Sequence, residues 1–199
     1  MPRFDDYLAE VQQRMNLNPI MMLVRAWTPQ EITAVENAIR VAVVASGIIG
    51  LQIPNFTGTN QAKGNKAANH FLNTVSPHLA RPNSIVLATG SGYPDRIFRL
   101  GGICFCMEMK ATSNWRNADG NRRVLTSSPT KMRNLIINRQ LASPPAHLIC
   151  TVLYNEANST VTGIRLDFLE PNSEIKIRLE ASTTQQLLHN GAQTTAIIP

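Results

Sequence analysis

Residues 93–110 read YPDRIFRLGGICFCMEMK, two runs suited to β-strands on either side of a Gly-Gly pair. A two-residue glycine loop between such runs predicts a tight β-hairpin. If Gly101 and Gly102 form the whole loop, Leu100 faces Ile103 and the register of the two strands follows from that pair. The segment therefore predicts which side chains of the first strand lie opposite which side chains of the second.

That register places two carboxylates face to face. Asp95 lies directly opposite Glu108, with Cβ atoms roughly 5 Å apart, and Lys110 points to the same side of its strand as Glu108. Opposed like charges destabilise a sheet unless positive charge lies between them. A carboxylate pair beside a lysine is what a divalent cation and an attacking water require, so the hairpin predicts a hydrolytic metal site.

The second strand is apolar on both of its faces, apart from Glu108 and Lys110. A strand of this kind is normally buried, and a buried carboxylate is rarely accidental. The alternative is a surface hairpin whose charges are unrelated. One face carries Ile103, Phe105, Met107 and Met109, and the other carries Cys104 and Cys106 ahead of Glu108.

The Pro94-Asp95 pair, followed by Glu108-Met109-Lys110, resembles the signature of the PD-(D/E)XK nucleases, the superfamily that contains most type II restriction endonucleases. The resemblance directly covers about 18 of the 199 residues. It implies an α/β fold with a restriction-endonuclease-like core, in which helices flank a central mixed β-sheet. It also implies Mg²⁺-dependent, sequence-specific hydrolysis of phosphodiester bonds in double-stranded DNA, by a homodimer that cuts both strands of a palindromic site.

The resemblance also implies a role for each residue of the motif. Asp95, Glu108 and the backbone carbonyl of Met109 would hold Mg²⁺, and Lys110 would orient or help to deprotonate the attacking water. Many nucleases of this superfamily contribute a further acid from a helix that precedes the hairpin. We expect Glu36 to be that acid, as an additional catalytic residue.

Glu36 lies on a helix with a clear start. Thr28, Pro29 and Glu31 form a capping box with proline at the first helical position, and the helix is predicted to run to Ser46. Glu36 falls at the edge of the apolar face of this helix, four residues after Ile32. The alternative for Glu36 is a flanking carboxylate that reaches solvent or an arginine.

The segment after Lys110 is rich in side chains that read base edges. Arginine and asparagine are the natural bidentate partners of guanine and adenine, although an ordinary polar loop has a similar composition. A basic helix predicted over residues 129–141 adds Lys131, which could follow phosphates. The candidate DNA contacts are Ser113, Asn114, Trp115, Arg116, Asn117, Asn121, Arg122, Arg123 and Lys131.

The rest of the chain predicts helices and strands that are mixed along the sequence, as in an α/β core with a central mixed sheet. Further helices are expected over residues 4–15, 60–75 and 182–189. Further strands are expected over residues 84–88, 124–126, 147–154, 161–169 and 175–179.

Composition fits one domain over residues 1–199 that contacts a polyanion. The chain carries 19 Lys+Arg against 13 Asp+Glu and a net charge of +6, a balance suited to nucleic acid. We expect a cytoplasmic protein without a signal peptide, and its longest apolar run, residues 41–51, is too short to span a bilayer. Cys104, Cys106 and Cys150 are expected to be buried and reduced, with a zinc site as the alternative.

Two other functions remain open on the sequence. One is a different PD-(D/E)XK nuclease, which acts in repair, nicking or junction resolution and shares the chemistry but not the substrate shape. The other is a basic nucleic-acid-binding module without catalysis. Such a module would have no need of Asp95, Glu108 and Lys110 on one face.

Overall fold

The computed structural model describes residues 3–6, 9, 24–90, 94–114, 124–126, 129–142, 144–179, 185–190 and 193–197. The helices are α1 (Pro29–Ser46), α2 (Asn60–Val75), a short 3₁₀ helix (Ser76–His78) and α3 (Pro129–Ile137). The strands are β1 (Ser84–Leu87), β2 (Arg96–Leu100), β3 (Ile103–Thr112), β4 (Val124–Thr126), β5 (His147–Asn155), β6 (Thr160–Leu169), β7 (Glu174–Leu179), β8 (Gln185–Asn190) and β9 (Gln193–Ile197). Within that part of the chain, none of the helices combines the length and the apolar character that a bilayer crossing demands.

A six-stranded mixed sheet organises the fold, in the order β1-β2-β3-β5-β6-β9. Strands β3 and β5 are parallel, and the other neighbours in this sheet are antiparallel. The parallel pair requires a crossover, and α3 lies in the connection between β3 and β5. The predicted α/β core with a mixed sheet is confirmed, and a second, three-stranded sheet adds β4, β8 and β7.

The hairpin between β2 and β3 has the predicted register. Leu100 pairs with Ile103, and the pairing continues to Arg96 opposite Met107. Gly101 has a φ of +60°, a left-handed conformation that glycine adopts without steric cost. Because the loop contains only two residues, the alternation of side chains on both strands is determined by the turn.

Helix α1 forms as its start signal predicts. The side chain of Thr28 accepts a hydrogen bond from the Glu31 backbone, and the Glu31 side chain accepts one from the backbone of Thr28. The helix ends at Gly47, whose φ of +60° places it in the left-handed region. The buried residues of α1, among them Val35 and Ile39, join the larger core.

Strand β3 separates two cores. Phe105, Met107 and Met109 contribute to the larger core together with residues of α1 and α2. Cys106 joins a smaller core with Leu135 and other residues of α3. Because side chains alternate along a strand, Glu108 and Lys110 point to the side of the sheet that α3 covers.

The C-terminal region differs from its predicted structure. The helix expected over residues 182–189 is wrong, because Gln185–Asn190 form β8 and pair with β7 and β4. The Ser-Thr-Thr start signal and the Gln-Leu composition fit a helix, but sheet partners outweigh such weak local preference. Helix α3 is shorter than predicted, since Arg139 adopts a φ of 55° just beyond it. Residues 4–6 and 9 of the first predicted helix are helical, and the others lie outside the described residues.

Candidate active site

The two predicted carboxylates are neighbours where β2 begins. The backbone N–H of Asp95 donates a hydrogen bond to Glu108 Oε2 at 3.2 Å. Lys110 Nζ donates to the other oxygen, Glu108 Oε1, at 2.8 Å. Both oxygens of Glu108 therefore have defined partners, and the structure brings Asp95, Glu108 and Lys110 together as the hairpin register predicts.

Glu108 is a buried carboxylate, with 5% of the residue exposed. Burial raises the pKa of its carboxyl group above the ordinary value, and the charge of Asp95 raises it further. The positive charge of Lys110 and its hydrogen bond oppose that shift. The environment as a whole therefore disfavours the negative charge on Glu108.

Lys131 is the second lysine near the carboxylate pair. It is 6% exposed, and burial lowers the pKa of its ammonium group, while the charges of Asp95 and Glu108 act in the opposite direction. Helix α3 carries this residue over the same face of the sheet from which Glu108 projects. Its charge interacts with those of Asp95 and Glu108, and its predicted contact with DNA stays a prediction.

An open cleft of about 760 Å³ contains the site. Pairing between β2 and β3 ends at Arg96 and Met107, so that Glu108–Thr112 pair only with β5 within the described residues. The other edge of this part of β3 faces the cleft, and α2 lines the opposite side. This open edge explains how a helix on one face of the sheet and carboxylates on the other face contribute to one cleft.

The oxygen donors at this site suit Mg²⁺. Asp95, Glu108 and Met109 all line the cleft. The described part of the chain contains no group of three or more His, Cys, Asp or Glu residues placed to hold a metal ion. A site with two carboxylates fits Mg²⁺ because this ion keeps several waters and commonly binds through one or two carboxylates and a substrate phosphate.

The structure does not bring Glu36 to this cleft. Its carboxylate pairs with Arg40, one turn along α1, at 2.6 Å, and it is not among the described residues that line the cleft. Its position at the edge of the apolar face directs it along the helix surface rather than under the sheet. The alternative in which Glu36 is a flanking carboxylate that reaches an arginine agrees with this placement.

The predicted DNA contacts lie partly outside the described residues. Ser113 and Asn114 are exposed at the end of β3, and Ser113 lines the cleft. The Asn114 backbone N–H donates to Thr112 Oγ1 at 3.1 Å, which turns the chain away from the strand. The remaining predicted contacts of this segment lie outside the described residues: Trp115, Arg116, Asn117, Asn121, Arg122 and Arg123.

Cys104 is half-buried, not buried as expected, whereas Cys106 and Cys150 are buried. Cys106 and Cys150 are buried in different cores on opposite faces of the sheet. Burial raises the pKa of both thiols well above the ordinary value. Their role in the structure is that of small buried side chains.

The sequence offers Asn65 and Asn69 of α2 as side chains for phosphates, but it does not predict that α2 forms a wall of the cleft. Its cleft-facing residues include Asn60, Gln61, Asn65 and Asn69. The amide residues recur at helical spacing on one face, but the sequence does not reveal which part of the sheet that face meets. The two lysines of this helix have other partners: Lys63 Nζ pairs with Glu156 at 2.6 Å, and Lys66 Nζ donates to the carbonyls of Asn55 and Thr57.

The raised pKa of Glu108 predicts a stability effect of defined sign. The folded chain binds this proton more tightly than the unfolded chain does, so stability falls as the pH rises through the ordinary carboxyl value of 4.5. In the absence of divalent cations, we expect Glu108→Gln to raise the free energy of unfolding at about pH 8, with the gain disappearing below about pH 4.5. Urea denaturation at a series of pH values measures it.

Glu31→Gln is the matched control for this prediction. In the wild type, the hydrogen bond from Arg25 lowers the pKa of Glu31. The ionised Glu31 carboxylate therefore stabilises the fold above the ordinary carboxyl pKa, and this stabilisation is lost as the pH falls. Glu31→Gln should therefore destabilise the protein at about pH 8. A lower stability of Glu108→Gln than of the wild type at that pH would contradict the assigned direction.

Comparisons with protein-family models, with curated proteins and with solved structures find no match to this chain. The case for a function therefore depends on the cleft itself. The cleft contains a carboxylate pair with a lysine in contact with one of the two carboxylates, and the amides of α2 line the opposite side. Arg96 and Glu156 also line it, and Glu156 is paired with Lys63.

Proposed function

We propose that this protein is a Mg²⁺-dependent endonuclease that hydrolyses phosphodiester bonds of double-stranded DNA. The observation that carries the proposal is the contact set at Glu108, whose oxygens meet the Asp95 backbone at 3.2 Å and Lys110 Nζ at 2.8 Å on the wall of an open cleft. These are the residues through which the sequence resembles the PD-(D/E)XK nucleases. The mixed sheet flanked by helices agrees with that resemblance at the level of fold class.

Asp95, Glu108 and the carbonyl of Met109 would hold the ion. Bound Mg²⁺ supplies Lewis-acid chemistry, polarising the scissile phosphodiester and offsetting negative charge in the transition state. Glu108 is suited to holding the ion because its burial leaves its charge poorly solvated. Asp95 is suited to the same role because it is half-buried and directly precedes β2. The two-residue turn determines the register that brings Glu108 to the start of β2, where the Asp95 backbone contacts it.

Lys110 has the role of orienting the attacking water. Its ammonium group is held by Glu108 at 2.8 Å, and its side chain is 19% exposed, so that Nζ remains accessible from the cleft. From this position Nζ can donate a hydrogen bond to the water or to a nonbridging phosphate oxygen. A fixed donor of this kind stabilises the charge that develops on the phosphate, without reorganisation during the reaction.

The substrate is proposed to be duplex DNA, and the protein a restriction endonuclease. The net charge of +6 favours a polyanion, and Arg96 and Lys110 bring positive charge to the cleft beside the carboxylates. A homodimer follows from the resemblance, because two equivalent strands of a palindrome need two active sites. Its location in the cytoplasm remains the separate expectation drawn from the sequence.

Digestion of linear duplex DNA, with and without Mg²⁺, tests the proposal. We expect discrete fragments that require Mg²⁺ and whose ends share one sequence. Cleavage confined to branched or mismatched DNA would favour a repair or junction-resolving nuclease of the same chemistry. Salt-sensitive binding without cleavage of any substrate would reject the nuclease in favour of a binding module.

A further inference from the structure

Helix α2 presents a neutral, amide-rich wall to the cleft, opposite the carboxylates. Four of its residues there are Asn60, Gln61, Asn65 and Asn69, and all four are exposed. None of their side chains makes a hydrogen bond to another described residue, so each keeps an amide oxygen and an amide NH₂ for a ligand.

The positive charges beside the carboxylate pair lie on the other side of the cleft, and Glu156, which also lines the cleft, is paired with Lys63 of α2. Arg96 and Lys110 belong to β2 and β3, next to the carboxylate pair. The lysines of α2 are held by Glu156 and by backbone carbonyls instead of turning towards the amide wall. Phosphate binding draws on positive charge, so the strand side suits phosphates and the α2 side suits a ligand that offers both donors and acceptors.

Gly64 stands in the middle of this wall without an internal reason to be glycine. A glycine destabilises a helix interior relative to alanine. A Cβ placed on Gly64 would meet no heavy atom within 4 Å, and its backbone conformation is open to any residue. Its missing side chain leaves room in the cleft itself, where a ligand can approach the helix backbone closely.

We propose that the α2 wall reads base edges of the DNA whose backbone lies against Asp95, Glu108 and Lys110. Asparagine and glutamine form bidentate pairs with adenine through its N6 and N7 atoms, and the major groove is wide enough to admit a helix. The wall would thereby determine the sequence that is bound, while the strand side determines where the backbone is cut. This inference rests on the proposed function for its substrate.

The test is enrichment of bound duplexes from a random DNA library in EDTA, followed by sequencing, so that no cleavage is needed. We expect the wild type to enrich one sequence motif. Asn65→Ala and Asn69→Ala should each lower the preference at one or more adenine-containing positions by about tenfold or more, with an unchanged salt dependence of binding. Asn73→Ala is the matched control, because Asn73 is exposed on the next turn of α2 but does not line the cleft.

Gly64→Ala separates a role in binding from a role in folding. It should raise the melting temperature by about 2 °C through helix propensity, while weakening binding to the enriched sequence about tenfold or more. Wild-type affinity together with the higher melting temperature would show that nothing approaches the helix at Gly64.

Three results would overturn the inference. They are enrichment of no motif by the wild type, an identical motif in the amide variants, and an equal loss of affinity for every sequence, which would mark phosphate contacts. Failure of the proposed function looks different. If the wild type enriches a motif but does not cut it in Mg²⁺, base reading by α2 is retained and the proposed nuclease activity is rejected.

Discussion

Lys110→Met is expected to reduce the rate of Mg²⁺-dependent DNA cleavage by between about 10²-fold and 10⁴-fold, the range associated with loss of a positioned proton donor or of a charge-stabilising group. Methionine preserves the length and the apolar stem of lysine but removes the ammonium group that lies 2.8 Å from Glu108 Oε1. Single-turnover cleavage at saturating Mg²⁺ measures the effect, and binding in EDTA shows whether affinity for DNA survives.

The loss has two physical parts, and a pH profile separates them. Lys110 lowers the pKa of Glu108 through its charge and its hydrogen bond, so its removal raises that pKa further and shifts ionisation of the carboxylate to higher pH. Activity that returns at higher pH belongs to this indirect effect. A deficit that persists at pH values where the activity no longer rises would support the proposed contact between Lys110 Nζ and the reacting groups.

Arg99→Met is the matched control for Lys110→Met. Arg99 is an exposed cation of the same hairpin, on β2, and does not line the cleft. Its removal should weaken DNA binding by no more than the effect of one distant positive charge. Equal losses of cleavage in the two variants would mean that Lys110 contributes only a general positive charge. That result would contradict its proposed role in orienting the attacking water.

The hairpin could be predicted from the sequence because its determinants are local. A two-residue Gly-Gly loop defines the register, and strict alternation then defines which side chains share a face. The observed pairing of Leu100 with Ile103 and of Arg96 with Met107 follows from those two rules. Helix α1 was predictable for the same reason, since the capping box of Thr28 and Glu31 involves residues three positions apart.

The remainder of the site depends on contacts that are distant along the chain. Lys131 reaches the carboxylates only because the connection between β3 and its parallel neighbour β5 carries α3 across that face. The amides of α2 line the cleft only because β3 extends beyond β2 and leaves an open edge. A helical pattern identifies one face of a helix but not what that face will meet.

Glu36 shows that a local sequence pattern can fit two different roles of the same residue. An acid at the edge of an apolar helical face is compatible with a metal site and with a surface ion pair, and the sequence does not distinguish them. The structure places its carboxylate against Arg40. A polar residue at such an edge follows whichever partner is near, and an arginine four residues away on the same helix is always near.

Asp95→Asn and Glu108→Gln are each expected to abolish Mg²⁺-dependent cleavage, with losses of at least about 10³-fold, because each removes one of the two carboxylates proposed to hold the ion. The folded state should survive both changes. The hydrogen bond to Glu108 Oε2 comes from the backbone of residue 95, so Asp95→Asn leaves it in place, and removal of the Asp95 charge relieves a repulsion that raises the pKa of Glu108.

Metal binding is measured separately from cleavage by thermal denaturation with and without millimolar Mg²⁺. A ligand that binds the folded state alone raises the melting temperature by mass action. The wild type should therefore gain stability from Mg²⁺, and both variants should gain less or none. Glu36→Gln is the matched control, since its carboxylate lies outside the cleft, and we expect it to keep both the Mg²⁺ response and cleavage.

The wild type and the three variants, compared for cleavage and for the response to Mg²⁺, together locate the metal site. Loss of cleavage and of the Mg²⁺ response in Asp95→Asn and Glu108→Gln, with both retained in Glu36→Gln, places the ion at the hairpin, as two carboxylates with a shared cleft wall require. Loss in all three variants would make Glu36 a ligand and would imply that α1 moves when the ion binds. Full activity of Asp95→Asn would contradict the carboxylate pair itself, because one remaining carboxylate and neutral oxygens hold Mg²⁺ too weakly to sustain the reaction.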